Sequence, residues 1–203
     1  MDDISNKALA IFVLISMVIS LYAIVAPKGI ITITGDVSAT GKAKVNVSEK
    51  LAINFTDDTV NWGTGGVTDS NCTLSTEGYI ETSDCLDFTN QSNGLTLENI
   101  GNVNAIIELA SDKDAQTFIN GTSPAFQYLI SDTTSGGEAN SCDNMAPTTF
   151  TDVNTTSPGT KICTKLYKQA SKDAIGIELK VTIPGDADFG QREATLTATG
   201  TKA

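Results

Sequence analysis

An unbroken apolar run, Ala8–Ala26, constrains this chain more than any other feature, because it contains neither a charge nor a proline. As a helix its nineteen residues extend roughly 28 Å, close to the hydrocarbon thickness of a bilayer. Only a helix satisfies its own backbone hydrogen bonds in lipid, so the run predicts one membrane-type helix. Ile24 and Pro27 make a poor cleavage site at its end, which favours a retained signal-anchor over a cleaved signal peptide.

The run divides the chain into three predicted parts. Residues 1–28 form the hydrophobic helix, residues 29–43 a short strand with a flexible linker, and residues 44–203 an extracellular β domain. The extracellular side is inferred from six N-x-[ST] sequons and from an even number of cysteines without metal-type spacing. The sequon asparagines are Asn46, Asn54, Asn71, Asn90, Asn120 and Asn154. We expect at least two to carry glycans, with Asn120 and Asn154 favoured and Asn54 also open.

Composition excludes several classes of function. The formal net charge of −11 is the opposite of a nucleic-acid-binding surface. The chain has no histidine, which removes the commonest general base and nearly every zinc site. Two alternating acid pairs, Asp112/Asp114 and Asp186/Asp188, lack the spacing of a calcium loop and are interpreted as solvated loop acids. The sequence therefore nominates no catalytic, cofactor-binding or metal-ligating residue.

Alternation of apolar and polar residues with a period of two predicts many short strands and almost no helix beyond the run. The clearest strand is Ile175–Ile183, where every second residue is apolar. The other predicted strands are Gly29–Gly35, Lys44–Val47, Leu51–Phe55, Val60–Gly63, Leu95–Glu98, Ala105–Leu109, Phe126–Ile130 and Ala194–Thr199. Ser131–Thr160 is predicted as a long loop, and Thr164–Asp173 as a helical turn or two. This pattern predicts an all-β, Ig-like two-sheet β-sandwich, with a jelly roll as the alternative.

Four cysteines, Cys72, Cys85, Cys142 and Cys163, allow three disulfide pairings, and sequence alone does not choose among them. We expect each cysteine to pair with its nearest neighbour in sequence. The first pair then closes a hairpin with Gly78 at its turn, and the second ties down most of the long loop. The single tryptophan, Trp62, is predicted to lie in the core.

Several segments resemble a known class of surface protein. The run LTLENIGNVNAIIEL at Leu95–Leu109 is similar to the strand–Asn-x-Gly-Asn–strand unit of archaeal surface sandwiches. Glu178–Thr199, ELKVTIPGDADFGQREATLTAT, resembles the closing hairpin of such domains. With INFTDDTVNWGTG and DVNTTSPGTKIC, the chain resembles small anchored surface β-sandwich proteins of DPANN archaea. At fold level it also resembles the TasA/camelysin group, which implies extracellular fibres built by donor-strand exchange and implies no catalytic residues.

The predicted function is therefore a structural subunit of an archaeal surface filament or coat, with itself as partner and with the membrane as partner of the helix. The predicted assembly residues lie in the N-terminal arm: Ala8, Val13, Ile15, Val18, Leu21, Ile31 and Ile33. The alternative is an anchored adhesion or glycan-binding domain that uses Tyr79, Tyr167 or the Trp62 region. An envelope hydrolase is a third class, disfavoured by the absence of histidine.

Overall fold

The computed structural model describes residues 11–18, 42–77, 79–80, 84–88 and 92–203. The chain divides into two compact units, Met1–Asn46 and Val47–Ala203, which are considered separately below. In the first unit, residues 11–18 are helical and are named α1. The rest of Ala8–Ala26 and the predicted strand Gly29–Gly35 lie outside the described residues. Within the described ranges, no helix combines the length and the apolar character that crossing a bilayer requires.

The second unit is the β domain, and its described residues form one short helix and thirteen strands. The strands are β1 Asn54–Asp57, β2 Gly66–Val67, β3 Asn71–Ser75, β4 Tyr79–Ile80, β5 Cys85–Leu86, β6 Leu95–Glu98, β7 Ala105–Ser111, β8 Ala125–Ser131, β9 Cys142–Asp143, β10 Thr151–Asp152, β11 Thr160–Leu166, β12 Ala174–Pro184 and β13 Leu196–Lys202. Helix α2 is Ala115–Phe118, between β7 and β8. The described strand pairings are antiparallel, and the prediction of an all-β domain is confirmed.

Strand β12 is the centre of a seven-stranded sheet. Residues 176–182 pair with β8 on one side. On the other side, residues 174–177 pair with β6 and residues 180–184 with β3, so these two strands lie end to end. Strands β1, β4 and β10 extend the sheet beyond β6, β3 and β8. The strict alternation of Ile175–Ile183 is what directs one face of this strand into the core.

A four-stranded sheet, in the order β13–β7–β11–β9, supplies the other side of the core, and β2 pairs separately with β5. The core cluster contains side chains from both larger sheets, among them Leu97, Ile107, Tyr128, Ile162, Leu166, Ile175 and Ile177. Trp62, predicted to lie in the core, is half-buried and packs against this cluster from outside it. Two antiparallel sheets that enclose one apolar core are consistent with a β-sandwich.

Both disulfides form between the cysteines that are nearest in sequence. Cys72 on β3 bonds Cys85 on β5, with a Cα–Cα distance of 4.7 Å, and the chain between them turns back through β4. Cys142 on β9 bonds Cys163 on the adjacent strand β11, with a Cα–Cα distance of 5.8 Å. The second bond ties the predicted long loop, which itself contains β9 and β10, to the four-stranded sheet.

Four sequence predictions need correction. Lys44–Val47 forms no strand, because it has no pairing partner among the described residues and both of its valines are exposed. Val60–Gly63 is irregular, although Trp62 is packed, and the strand nearby is β2 instead. Leu51–Phe55 becomes a strand only from Asn54, because Leu51 stays exposed. Thr164–Asp173 contains no helix, since β11 continues to Leu166 and an irregular loop follows.

The turn between β6 and β7 requires a glycine for space rather than for backbone conformation. No residue of the turn Asn99–Asn102 adopts positive φ. A Cβ on Gly101 would instead overlap the carbonyl oxygen of Lys50 and the amide nitrogen of Ala52. The chain that enters the domain therefore passes directly over this turn.

The register of the strands defines two opposite ends of the β domain. The Ala174 end contains the turn 99–104, the loop 167–173 and residues 202–203, because Ala174 pairs with Glu98 and Lys202 with Ala105. The Pro184 end contains the loops 112–124 and 185–195, because Leu196 pairs with Ser111. The eleven residues of β12 separate these ends by roughly 33 Å.

Candidate assembly surfaces

Helix α1 exposes apolar side chains in every direction. Seven large side chains between residues 11 and 18 have exposed fractions from 51 to 74 %. They are Ile11, Phe12, Val13, Leu14, Ile15, Met17 and Val18. Because they are nearly consecutive at 3.6 residues per turn, they cover the whole circumference of the helix. Such a surface is stable only against lipid or other apolar chains. Val13, Ile15 and Val18 belong to the predicted assembly set, whereas Ala8, Leu21, Ile31 and Ile33 lie outside the described residues.

The segment 44–47 is a second feature with exposed apolar side chains. Val45 is 88 % exposed and Val47 is 75 % exposed, and both alternate with polar residues. Alternation of this kind is typical of a strand with one apolar face. The segment thus has the side-chain pattern of a strand but no strand partner within the described chain.

The longest regular sheet edge of the β domain is β13. Its seven residues pair with β7 without a bulge, and in the described structure no other strand pairs with β13. Strand β1, an edge of the other sheet, has only four residues and a register shift between Phe55 and Asp57. A long edge without a bulge leaves a row of backbone donors and acceptors that can pair with another chain.

The loop 185–195 is held firmly against the loop that contains α2. Asp186 accepts hydrogen bonds from the backbone N–H of Thr122 at 2.8 Å and from its hydroxyl at 2.6 Å. These bonds lower the pKa of Asp186 below its usual value. The Asn120 side chain donates to the Asp188 carboxylate at 2.5 Å. The first half of the loop is therefore fixed by side chains from a neighbouring loop.

The second half of the same loop is fixed equally well. The backbone N–H of Thr195 donates to Asp112 at 2.6 Å, and the Lys113 ammonium donates to the Glu193 carbonyl at 2.6 Å. Between these two anchored halves Phe189 is fully exposed. Sequence analysis missed Phe189; the available signal was an aromatic residue in an otherwise polar loop, between Asp188 and Gly190.

The acid pairs have local structural roles. Asp114 is the N-cap of α2, where its side chain accepts from the Thr117 N–H at 2.7 Å. That bond lowers the pKa of Asp114. Asp112, Asp186 and Asp188 hold the loop 185–195 as described above. Within the described residues, no three or more acids or cysteines are placed so that they could hold a metal ion.

Of the aromatic residues proposed for ligand binding, Tyr167 and Trp62 contact other residues of the domain. The Tyr167 hydroxyl donates to Asp143 at 2.9 Å, and the Lys165 ammonium lies 4.4 Å from the centre of the Tyr167 ring. Trp62 packs against the core. The side chain of Tyr79 lies outside the described set. None of these placements forms an open aromatic platform.

The sequon asparagines differ in how free their side chains are. Asn120 hydrogen-bonds Asp188, and Asn154 closes a turn by accepting from the Thr156 N–H at 2.9 Å. Both of the favoured glycan sites are thus occupied by internal contacts. Asn54 lies exposed on the edge strand β1, and Asn46 is also exposed. Asn71 is exposed as well but is engaged in a contact of its own. Asn90 lies outside the described residues.

Among the described residues, one carboxylate is buried, on the outer face of β12. Glu178 is 1 % exposed and accepts hydrogen bonds from the hydroxyls of Thr76 and Ser135. Each hydroxyl in turn accepts a backbone N–H, from Leu179 and Gly94 respectively. The loop that carries Ser135 covers this face of the sheet. A carboxylate closed off from solvent in this way holds the loop to the sheet and has no access to a substrate.

Comparison with known proteins adds no relative: the chain matches no protein-family model, no curated protein and no solved structure. The features that bear on function are therefore the surfaces themselves, namely the apolar helix, the extended valine segment, the β13 edge and the Phe189 loop.

Proposed function

We propose that this chain is a structural subunit of an extracellular filament or surface coat, which assembles with copies of itself through its N-terminal arm. The observation that carries the proposal is α1, whose apolar side chains are exposed around the whole helix. In a filament, such helices pack together and replace lipid with one another. Before assembly, the same helix holds the subunit in the membrane.

Strand addition is the second mode of contact that this architecture supports. The β13 edge offers backbone hydrogen-bonding groups to a strand from another copy. The arm offers alternating apolar residues at Ile31/Ile33 in the sequence and at Val45/Val47 in the structure. Helix packing and strand donation are compatible in one polymer. We favour the Ig-like two-sheet form for the domain, in line with its resemblance to DPANN surface proteins and to TasA/camelysin fibres.

The deciding experiment compares two variants of the full chain with the wild type by negative-stain electron microscopy. One variant starts at Ser48 and so lacks the whole arm, including Val45 and Val47, and the other is the full chain with Val13→Asp in α1. We expect both to remain as folded, unpolymerised subunits. The truncated chain lacks the helix that packs, and in the Val13→Asp chain an unpaired carboxylate in a packed apolar interface is unfavourable by several kcal/mol. Leu86→Asp, at an exposed apolar residue of β5 outside the proposed contacts, is the charge-matched control for the helix. Filaments of native length from both arm variants would overturn assembly through the arm.

A further inference from the structure

The chain contains two Asn-Gly dipeptides, Asn93-Gly94 and Asn120-Gly121, and the fold gives them different surroundings. In such a dipeptide the backbone nitrogen of the glycine can attack the side-chain amide carbon of the asparagine, because glycine has no Cβ to obstruct the approach. The attack requires a glycine nitrogen that lies beside the asparagine amide and is not held by a distant acceptor. The two dipeptides differ in this respect.

At Asn120-Gly121 the two reacting groups are in contact. Asn120 follows the C-cap of α2 in the left-handed conformation, with a φ of 67°, and Gly121 continues with a φ of 90°. The Gly121 N–H donates to Oδ1 of Asn120 at 2.8 Å, so the nitrogen lies beside the amide group that it would attack. Among the described residues, no other acceptor bonds this N–H. Both residues are partly exposed, so water reaches the dipeptide.

Two further side chains fix the amide of Asn120. The Gln116 side chain, one turn earlier, donates to Oδ1 at 3.1 Å, and the Asp188 carboxylate accepts from Nδ2 at 2.5 Å. Attack by the Gly121 nitrogen places negative charge on Oδ1, and the Gln116 donor stabilises that charge as in an oxyanion hole. The bond to Asp188 holds the amide in one orientation, so the reacting atoms start close to the geometry of attack.

At Asn93-Gly94 the corresponding nitrogen is engaged elsewhere. The Gly94 N–H donates to the Ser135 hydroxyl at 2.8 Å. Gly94 is buried, and a Cβ at this position would overlap the carbonyl oxygen of Ile177. The nitrogen therefore cannot turn towards the Asn93 amide without loss of this bond and of the packing around Gly94.

We propose that Asn120 is a site of spontaneous deamidation, promoted by Gly121 and Gln116. The Gly121 nitrogen loses its proton to solvent and bonds to Cγ of Asn120, and the Cγ–Nδ2 bond breaks as Nδ2 takes a proton from water and leaves as ammonia. Water then opens the five-membered imide at either carbonyl, which gives aspartate or isoaspartate. One water is consumed and one ammonia is released.

The reaction has two consequences beyond the proposed assembly function. The new carboxylate faces Asp188 and replaces the donor that held it, so the loop 185–195 loses one of its anchors. Loss of Nδ2 also removes the sequon Asn120-Gly121-Thr122, so a deamidated chain can no longer be glycosylated there.

The test incubates the full-length chain, produced in a host without N-glycosylation, in mildly alkaline buffer and follows both dipeptides by mass spectrometry. We expect Asn120 to react at least about tenfold faster than Asn93 in the folded chain. In concentrated urea the two rates should become similar, because the surroundings of both are lost. Equal rates in the folded chain, or a difference that persists in urea, would contradict the inference.

A pair of glutamine variants tests the role of Gln116. Gln116→Ala should slow the reaction of Asn120 about three- to tenfold, the range that one partly exposed hydrogen bond supplies. Alanine keeps the propensity of α2 to be helical. Gln169→Ala, at an exposed glutamine in the loop 167–173, is the matched control and should leave the rate unchanged. Equal rates in the two variants would show that Gln116 does not promote the reaction.

Asn120→Asp, introduced directly, tests the effect on the loop. Chymotrypsin should cut this variant after the exposed Phe189 about two- to fivefold faster than the wild type, as expected for the loss of one partly exposed charge contact. Asn93→Asp, at the exposed asparagine of the other dipeptide, is the charge-matched control and should be cut at the wild-type rate. Equal cutting of the two variants would refute the release of the loop by deamidation.

Discussion

Strands β12 and β13 are joined by a single loop, yet β12 lies enclosed within one sheet and β13 lies at the edge of the other. Strand β12 has β6, β3 and β8 as neighbours, and seven of its first eight residues, Ala174–Val181, are fully buried. Among the described strands, β13 pairs with β7 alone, and its residues are half-buried or exposed. The amino-acid content differs accordingly. Strand β12 is rich in isoleucine, leucine and valine, whereas β13 is mainly threonine, alanine and glycine.

The difference separates stability from interaction. Side chains of β12 contribute to the fold through burial on both faces, because the loop of Ser135 also covers its outer face. Strand β13 contributes less to the core but keeps one row of backbone groups open to another chain. Substitutions in β12 should therefore affect unfolding, and substitutions in β13 should affect assembly.

The largest expected effect comes from truncating the centre of β12. Ile177 is completely buried, so Ile177→Ala should lower the free energy of unfolding by about 2–5 kcal/mol through lost burial and a residual cavity. The matched change on the edge strand, Leu196→Ala, removes a half-buried side chain and should cost less than about 1.5 kcal/mol. Urea unfolding of both variants measures the contrast. Equal losses would show that β13 belongs to the core as fully as β12 does.

A smaller effect is expected at the buried carboxylate. Glu178→Ala leaves the hydroxyls of Thr76 and Ser135 without their acceptor and should cost about 1–3 kcal/mol. Glu178→Gln keeps one carbonyl acceptor and should lose roughly half as much. The two variants are compared by urea unfolding at neutral pH. If Gln is as harmful as Ala, the negative charge rather than the hydrogen bonding is what the loop requires.

Amide hydrogen exchange measures the difference between the strands without a substitution. In the free subunit the amides of β12 should exchange slowly throughout, whereas only alternate amides of β13, those bonded to β7, should be protected. Strand addition during assembly should slow the remaining amides of β13. Filaments in which that alternate set still exchanges fast would exclude strand donation at this edge and leave helix packing as the assembly contact.

The sequence predicts strands correctly where buried and exposed residues alternate along the chain. Leu95–Glu98 was predicted with the bounds that β6 has, and Ile175–Ile183 lies within β12, because each strand has one face in the core. Phe126, Tyr128 and Ile130 of β8 are likewise buried together. Alternating apolar and polar residues in the sequence predict a strand because one face of such a strand is buried.

The sequence did not predict the structure correctly where contacts with distant parts of the chain determine pairing or burial. Lys44–Val47 alternates as well as a real strand does, but it has no strand partner in the described structure. The burial of Glu178 depends on a loop more than forty positions earlier in the chain, which no local pattern records. Phe189 is likewise identified by its exposure, which depends on contacts of its loop with Asn120 and Thr122.

The smallest predicted effect lies at the residue that leads into β12. Burial raises the pKa of Asp173, and a hydrogen bond with Glu138 and the negative charges of Glu138 and Glu98 raise it further. The folded state therefore holds this proton to higher pH than the unfolded chain does. The charge on Asp173 lowers stability at neutral pH, and that loss disappears as pH falls through the raised value towards the ordinary value near 3.8.

Asp173→Asn should accordingly stabilise the domain at pH 7, and the gain should shrink to nothing as the pH approaches 4. Asp186, on the loop that leads into β13, is the control of opposite sign, because the bonds from Thr122 lower its pKa. Asp186→Asn should destabilise at pH 7, and that loss should fade below about pH 4. Urea unfolding of both variants across this range checks the signs. A stability gain at Asp173 that does not change with pH would show that packing, rather than the proton, sets the effect, and that the entry to β12 carries no electrostatic cost.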